Sequence, residues 1–188
     1  MEDWVAVHGV ELVVVLGWAA FWIYWLVAAF STKRGHVPWS QHLGVRAVLV
    51  VLAILLLRAG ALRGGNLNSD PWRGGLGVFL LALGLGFAVW ARRHIGRNWG
   101  SPMSKKDEPE LVTSGPYGLV RHPIYSGILL AGVGTAVALS WSWLVAVLLA
   151  GIYFVYSAIV EERYLTRQFP EDYPNYQRST KMLVPLIF

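Results

Sequence analysis

Two clusters in the second half of the chain have residue types and spacing that could do chemistry. The first is the run from Leu111 to Gly127, with Gly115-Pro116-Tyr117 at its centre and Arg121-His122-Pro123-Ile124-Tyr125 near its end. The second is Glu161-Glu162-Arg163-Tyr164-Leu165, followed by Phe169, Tyr173 and Tyr176. Gly115-Pro116 calls for a turn. Pro123 has no N–H to leave unpaired, so it suits the first position of a helix and puts His122 at the N-cap. A helix N-terminus presents unpaired N–H groups and the positive end of the helix dipole. With Arg121 and His122 beside it, this is an anion site, and it would equally suit a lipid phosphate. Glu161 and Glu162 close an apolar stretch, where negative charge opposes the dipole and the neighbouring loops are basic. A specific partner is therefore expected there, the alternative being a solvated helix end. Adjacent helical residues point about 100° apart, so one of the two glutamates faces a shared pocket. An anion site facing a carboxylate suits a zwitterion, such as the amino-acid end of S-adenosylmethionine.

The elements that must position these residues are membrane spans. Apolar residues make up 55% of the 188, and only 14% are charged, against about 25% in soluble domains. Five spans are expected, at about Val7–Phe30, Leu43–Leu62, Leu76–Ala91, Pro123–Leu139 and Trp143–Val160; the third and fourth are short for a bilayer. The first starts with Glu2 and Asp3 and lacks the basic lead of a signal peptide. Lys33, Arg34, Arg46, Arg92, Arg93, Arg97, Lys105, Lys106, Arg121, Arg163, Arg167, Arg178 and Lys181 would lie on one side, and Arg58, Arg63 and Arg73 on the other. Thirteen against three places the N-terminus outside and the C-terminus in the cytoplasm. The connection Ser140–Trp143 is so short that spans four and five form a hairpin. That returns Glu161 and Glu162 to the level of Arg121 and His122. Gly127, Gly132, Gly134 and the pair Gly84 and Gly86 read as helix-packing glycines rather than nucleotide loops. The expected architecture is an all-α polytopic bundle of about five transmembrane helices, divided into residues 1–91 and a catalytic region 92–188, with the C-terminal half of the chain forming a cytoplasmic cofactor pocket.

The order Gly-Pro-Tyr-x-x-x-Arg-His-Pro-x-Tyr-x-Gly, then Glu-Glu-x-x-Leu, then Phe-x-x-x-Tyr-x-x-Tyr resembles the isoprenylcysteine carboxyl methyltransferase family, to which membrane phospholipid methyltransferases are related. The resemblance covers the chain from about Gly96 onward. It implies S-adenosylmethionine as cofactor. It also implies cofactor contacts at Pro109, Glu110, Leu111, Val112, Tyr117, His122, Pro123, Ile124, Tyr125 and Glu161. In the eukaryotic enzymes an arginine one turn before that glutamate is associated with the substrate, and Ser157 stands at that position here. Arg121, Arg92, Arg93 and Arg97 are the candidates to substitute.

The expected reaction is methyl transfer to a lipid-like acceptor drawn from the bilayer, with carboxyl methylation first in line. A carboxylate needs no base. An amine acceptor, as in a phospholipid N-methyltransferase, would need one, and Glu162 is the candidate. Arg121 and Glu162 are thus the expected catalytic residues. The segment from Phe169 to Phe188 is a candidate lid, with Leu183–Phe188 able to lie on the membrane. An NADPH-dependent sterol-type reductase and a non-enzymatic lipid-binding protein are the competing classes. The net charge of +5 has a membrane explanation, since the ten Trp lie mostly near span ends, so no nucleic-acid partner is expected. No metal is expected either: cysteine is absent, and His8, His36 and His42 lack ligand spacing with acidic partners. Glu11 and Arg58 read as interfacial, and His94 as a residue that could face the pocket.

Overall fold

The computed structural model describes residues 2–29, 35–36, 70–99, 105–106 and 110–187. Among the described residues five helices follow one another: α1 (Glu2–Ala29), α2 (Pro71–Ile95), α3 (Pro123–Ala138), α4 (Trp143–Gln168) and α5 (Asp172–Ser179). Short 3-10 turns cover Gly96–Asn98 and Gly115–Gly118, and two-residue strands Gly35–His36 and Lys105–Lys106 pair antiparallel. The fold is an all-α membrane bundle. Helices α1, α2 and α4 are long and apolar enough to cross a bilayer, and α3 is a shorter apolar helix. The expected second span, Leu43–Leu62, lies outside the described residues, as does the site candidate Pro109.

Leu12, Leu16, Ile23, Leu26 and Val27 on α1, with Leu148 and Ile152 on α4, are all more than half exposed. An apolar surface of that extent suits lipid and would be a liability in water. The third span is longer than its hydropathy suggested. It starts at Pro71, with Asp70 as N-cap accepting from the Trp72 amide, and runs 25 residues to Ile95. Arg92 reads in sequence as the end of the span, but it is 2% exposed. Its guanidinium donates to the carbonyls of Gly96 (2.8 Å) and Ala28 (2.6 Å) and lies over the Trp99 ring. It therefore fastens the end of α1 to the end of α2, and α2 continues across the 91/92 division. The 16-residue α3 is short, about 24 Å at 1.5 Å per residue, against a hydrocarbon core of about 30 Å.

Helices α2 and α3 approach closely because glycines face each other. A Cβ on Gly84 would stand 2.5 Å from the Gly127 carbonyl oxygen, and one on Gly127 would stand 2.6 Å from that of Gly84. Gly77 and Gly134 repeat the pattern nearer the other end. Gly132 faces Val147 of α4 instead, and a Cβ on Gly86 would meet nothing within 4 Å among the described residues. Helix α1 joins this pair through Gly17 against Leu81 and through Trp18 Nε1, which donates to Thr135 Oγ1 at 3.0 Å. Gly127→Leu is therefore expected to prevent normal α2–α3 docking, since the obstruction is backbone and cannot move aside. Gly86→Ala is expected to be tolerated and to stabilise by up to about 1 kcal/mol, because Gly86 is an exposed mid-helix position and alanine is the better helix former. Thermal unfolding of both variants in detergent checks the contrast.

Candidate functional site

Pro123 opens α3 with His122 as N-cap, as its proline predicts, but the His122 side chain makes no cap bond. The chain around it is held from behind by a strap. Arg121 N–H donates to the Lys181 carbonyl (2.8 Å), His122 N–H to that of Met182 (3.0 Å), and Ser126 Oγ–H to that of Leu183 (2.6 Å). Val120 and Lys181 form a parallel bridge. Tyr176 hydroxyl donates to the Tyr117 carbonyl at 2.5 Å. The candidate lid is thus divided. Residues 173–183 are built into the site, with Leu183 buried, whereas Val184, Leu186 and Ile187 project outward.

The hairpin of α3 and α4 returns the two glutamates to Arg121 and His122. Glu162 is the inner one. Its Oε1 accepts from Arg121 Nε at 2.7 Å and from His122 Nε2 at 3.1 Å; its Oε2 accepts from Gln177 Nε2 at 2.8 Å and from Arg121 Nη2 at 3.5 Å. Arg121 Nη1 donates to the carbonyls of Gln177 and Thr180. The Arg121–Glu162 pair is about nine-tenths buried at both side chains. The guanidinium offered by sequence as part of an anion site is therefore occupied by protein groups. Glu162, offered as a base, has its lone pairs engaged by three neighbours and does not line the cavity described below.

Glu161 turns the other way, as the 100° step requires. Its Oε1 accepts from Tyr125 hydroxyl at 2.6 Å, and its Oε2 is 3.6 Å from His122 Nδ1. His122, Tyr125 and Phe154 form a stack, with interplanar angles of 2° and 5°. Burial, then the Glu162 charge, raises the Tyr173 phenol well above its ordinary range. Burial also raises Tyr117, and pushes Tyr176 up to about 12. All three remain neutral phenols near pH 7.

These residues border a cavity of about 560 Å³. Glu110, Leu111, Val112, Tyr117, the run from Arg121 to Tyr125, and Glu161 all line it. Asn98 lines it too, donating to Glu110 Oε2 at 2.9 Å. Aromatic and aliphatic side chains complete the lining, with Trp22 and Trp25 from α1, Ile95 at the end of α2, Trp99 just beyond it, and Tyr153 and Phe154 from α4. The pocket thus draws on α1 as well as on the C-terminal half. Sequence reasoning missed Trp22, Trp25, Asn98 and Gln177, for hydropathy marks a span but not which of its faces meets a cavity. His94 packs outside, bonded to Ser114 Oγ at 2.9 Å and stacked on Tyr117, directly over Gly115. Gly115 has φ +60, and any Cβ there would strike the His94 ring. Ser157 is fully buried, and its Oγ has no partner among the described residues.

Residues 72–172 match the model of the phospholipid methyltransferase family, more than half of the chain, and the chain belongs to that family. Among curated proteins it is 30% identical over 148 residues to the nickel-cobalt-cadmium resistance protein NccN of Alcaligenes xylosoxydans xylosoxydans. That alignment covers 77% of this chain and 65% of the relative, so the chain spans a little under two thirds of that protein's length. It is 27% identical over 145 residues to protein-S-isoprenylcysteine O-methyltransferase B of Arabidopsis thaliana, covering 75% of this chain and 74% of the relative. It is 32% identical over 128 residues to a methanethiol S-methyltransferase of a Pseudomonas species, covering 62% and 48%. The chain is therefore an integral membrane protein of a methyltransferase family.

Proposed function

We infer that the protein transfers a methyl group from S-adenosylmethionine to an acceptor atom on a membrane-resident amphiphile, at the cytoplasmic boundary of the bilayer. The observation that carries this reading is one cavity lined both by carboxylates, phenols and an amide and by tryptophans and aliphatic side chains. The polar groups suit the cofactor. Asn98 Oδ1 and Tyr173 hydroxyl, both on lining residues, are buried without a partner among the described residues, and such atoms are expected to find one in a bound ligand. Glu161 suits an ammonium group, and the surrounding rings suit a sulfonium cation. The cofactor supplies an activated methyl group when bound. The protein has to hold the acceptor in line with it and keep water away.

In this reading Glu110, Leu111, Val112, Tyr117, His122, Pro123, Ile124, Tyr125 and Glu161 form the cofactor wall, with Pro109 adjoining in sequence. Arg121 and Glu162 hold that wall in shape and take no part in proton transfer. Trp22 and Trp25 form the acceptor wall. Family membership favours methyl transfer over the NADPH-dependent reductase. The carboxyl group suggested by the isoprenylcysteine resemblance is the first acceptor to try, and the methanethiol relative makes a thiol the second.

Calorimetry on the detergent-solubilised protein is expected to show binding of S-adenosylmethionine and of its demethylated product, with no competition by NADPH. Competition by NADPH, or no binding, would overturn the reading. Incubation with methyl-labelled cofactor and a membrane lipid extract should then label a lipid-soluble product. Release of that label by mild base identifies a carboxyl ester, and label confined to water-soluble products rules out entry from the bilayer. Trp25→Ala is expected to change KM for the acceptor severalfold while leaving cofactor affinity as in the parent; an unchanged KM would remove α1 from the acceptor wall.

A further inference from the structure

Gln177 lies five residues beyond the segment, 72–172, that matches the family model. It belongs to α5, the short helix that leads into the strap. It meets the charged pair twice: its side-chain amide donates to Glu162 Oε2 at 2.8 Å, and its carbonyl accepts from Arg121 Nη1 at 3.3 Å. We propose that Gln177 is a positioning residue for the cofactor wall, acting on it through Glu162 and His122.

The chain of contacts supports this step by step. Glu162 Oε2 has two donors, and the one from Arg121 is long at 3.5 Å. Gln177 therefore supplies the short bond that fixes the rotation of the carboxylate about its last torsion. That rotation places Oε1, which receives His122 Nε2 at 3.1 Å. Acceptance by a carboxylate means that Nε2 carries the hydrogen, and the imidazole is thereby set with Nδ1 toward Glu161, 3.6 Å away. The same ring orientation keeps His122 stacked on Tyr125, whose hydroxyl is bonded to Glu161. Glu161 is the carboxylate that lines the cavity. A polar network of this kind is only as well ordered as its least satisfied member.

The proposal rests on the methyltransferase reading for its catalytic consequence but not for its structural one, so it is tested at both levels. Alanine and glutamate at this position separate hydrogen bonding from shape. Glutamate has the shape of glutamine but cannot donate when ionised, and it sets a like charge against Glu162. Gln177→Ala is expected to lower kcat/KM about tenfold, the usual effect of losing one hydrogen bond to a charged group. Gln177→Glu is expected to be worse than alanine at pH 8, and to recover toward the parent as the pH falls and its carboxyl regains a proton to donate. A residue that merely fills space would give the opposite order, with glutamate near the parent at every pH and alanine impaired; that order overturns the proposal. The second measurement needs no cofactor. In the full-length protein labelled with 15N-histidine, the His122 Nε2–H signal is assigned by its loss in His122→Asn. It is expected to be protected from exchange in the parent and to broaden or vanish in Gln177→Ala. A His122 signal unchanged in both variants would sink the proposal whether or not the protein binds S-adenosylmethionine. Absence of cofactor binding by the parent would sink the methyltransferase reading alone.

Discussion

Glu162→Ala is expected to destabilise the protein by about 3–5 kcal/mol, the range found when one partner of a buried ion pair is removed. The substitution leaves Arg121 charged inside the protein, because neither side chain of the pair is more than 11% exposed. It also strips His122 and Gln177 of their acceptor. Screening by solvent, which reduces surface pairs to little or nothing, has small scope here. Thermal or denaturant unfolding in detergent measures the loss, and a change below about 1 kcal/mol would contradict a buried pair of this kind. Replacing both residues, as Arg121→Met with Glu162→Leu, should recover part of the loss by removing the stranded charge. Recovery will be incomplete, since the carbonyls of Gln177 and Thr180 lose their donor as well.

Glu161→Gln should behave in the opposite manner, with affinity collapsing and the fold retained. Its side chain is 24% exposed, and the amide oxygen of glutamine can still accept from Tyr125. An ionised hydrogen-bond partner contributes roughly 1.5–3 kcal/mol. The affinity for S-adenosylmethionine should therefore fall about tenfold to a hundredfold with the unfolding midpoint nearly unchanged. Calorimetry beside a melting curve reads both. Parent-like affinity would remove Glu161 from the cofactor wall. The two adjacent glutamates thus separate structure from binding: Glu162→Ala is costly to the fold, and Glu161→Gln to the ligand.

Much of this arrangement was legible in the residues. Pro123 announced the start of α3 and His122 its cap, because proline and the N-cap are local chemistry. The short link from Ser140 to Trp143 required the hairpin that brings Glu161 and Glu162 back to Arg121 and His122. The 100° step allowed only one glutamate to face a pocket. What Glu162 does instead was not legible, for its partners Gln177 and Arg121 meet only through the path of the strap, which no local pattern specifies. Arg92 misled the reading of the third span, since a basic residue after an apolar run marks an interface only when it is exposed. The aromatic positions on α1 were hidden for the same kind of reason: every residue of a span is apolar, and hydropathy carries no record of which face meets protein.

The strap has a consequence for how the protein is made. The partners of Arg121, His122 and Ser126 on the strap are 57 to 60 positions later in the chain, read from residues 121, 122 and 126 against 181, 182 and 183. Helices α2 and α3 can dock during synthesis, because their glycine faces are complete as soon as both have emerged. The backbone N–H groups of Arg121 and His122 must wait. A chain elongating at about 5–20 residues per second would leave them unpaired for several seconds, together with an Arg121 side chain whose acceptors are still unmade. The site is therefore completed only once the strap has emerged, and a ribosome-stalled chain that stops before Tyr176 should insert into the membrane with α2 and α3 docked yet fail to form the ligand pocket.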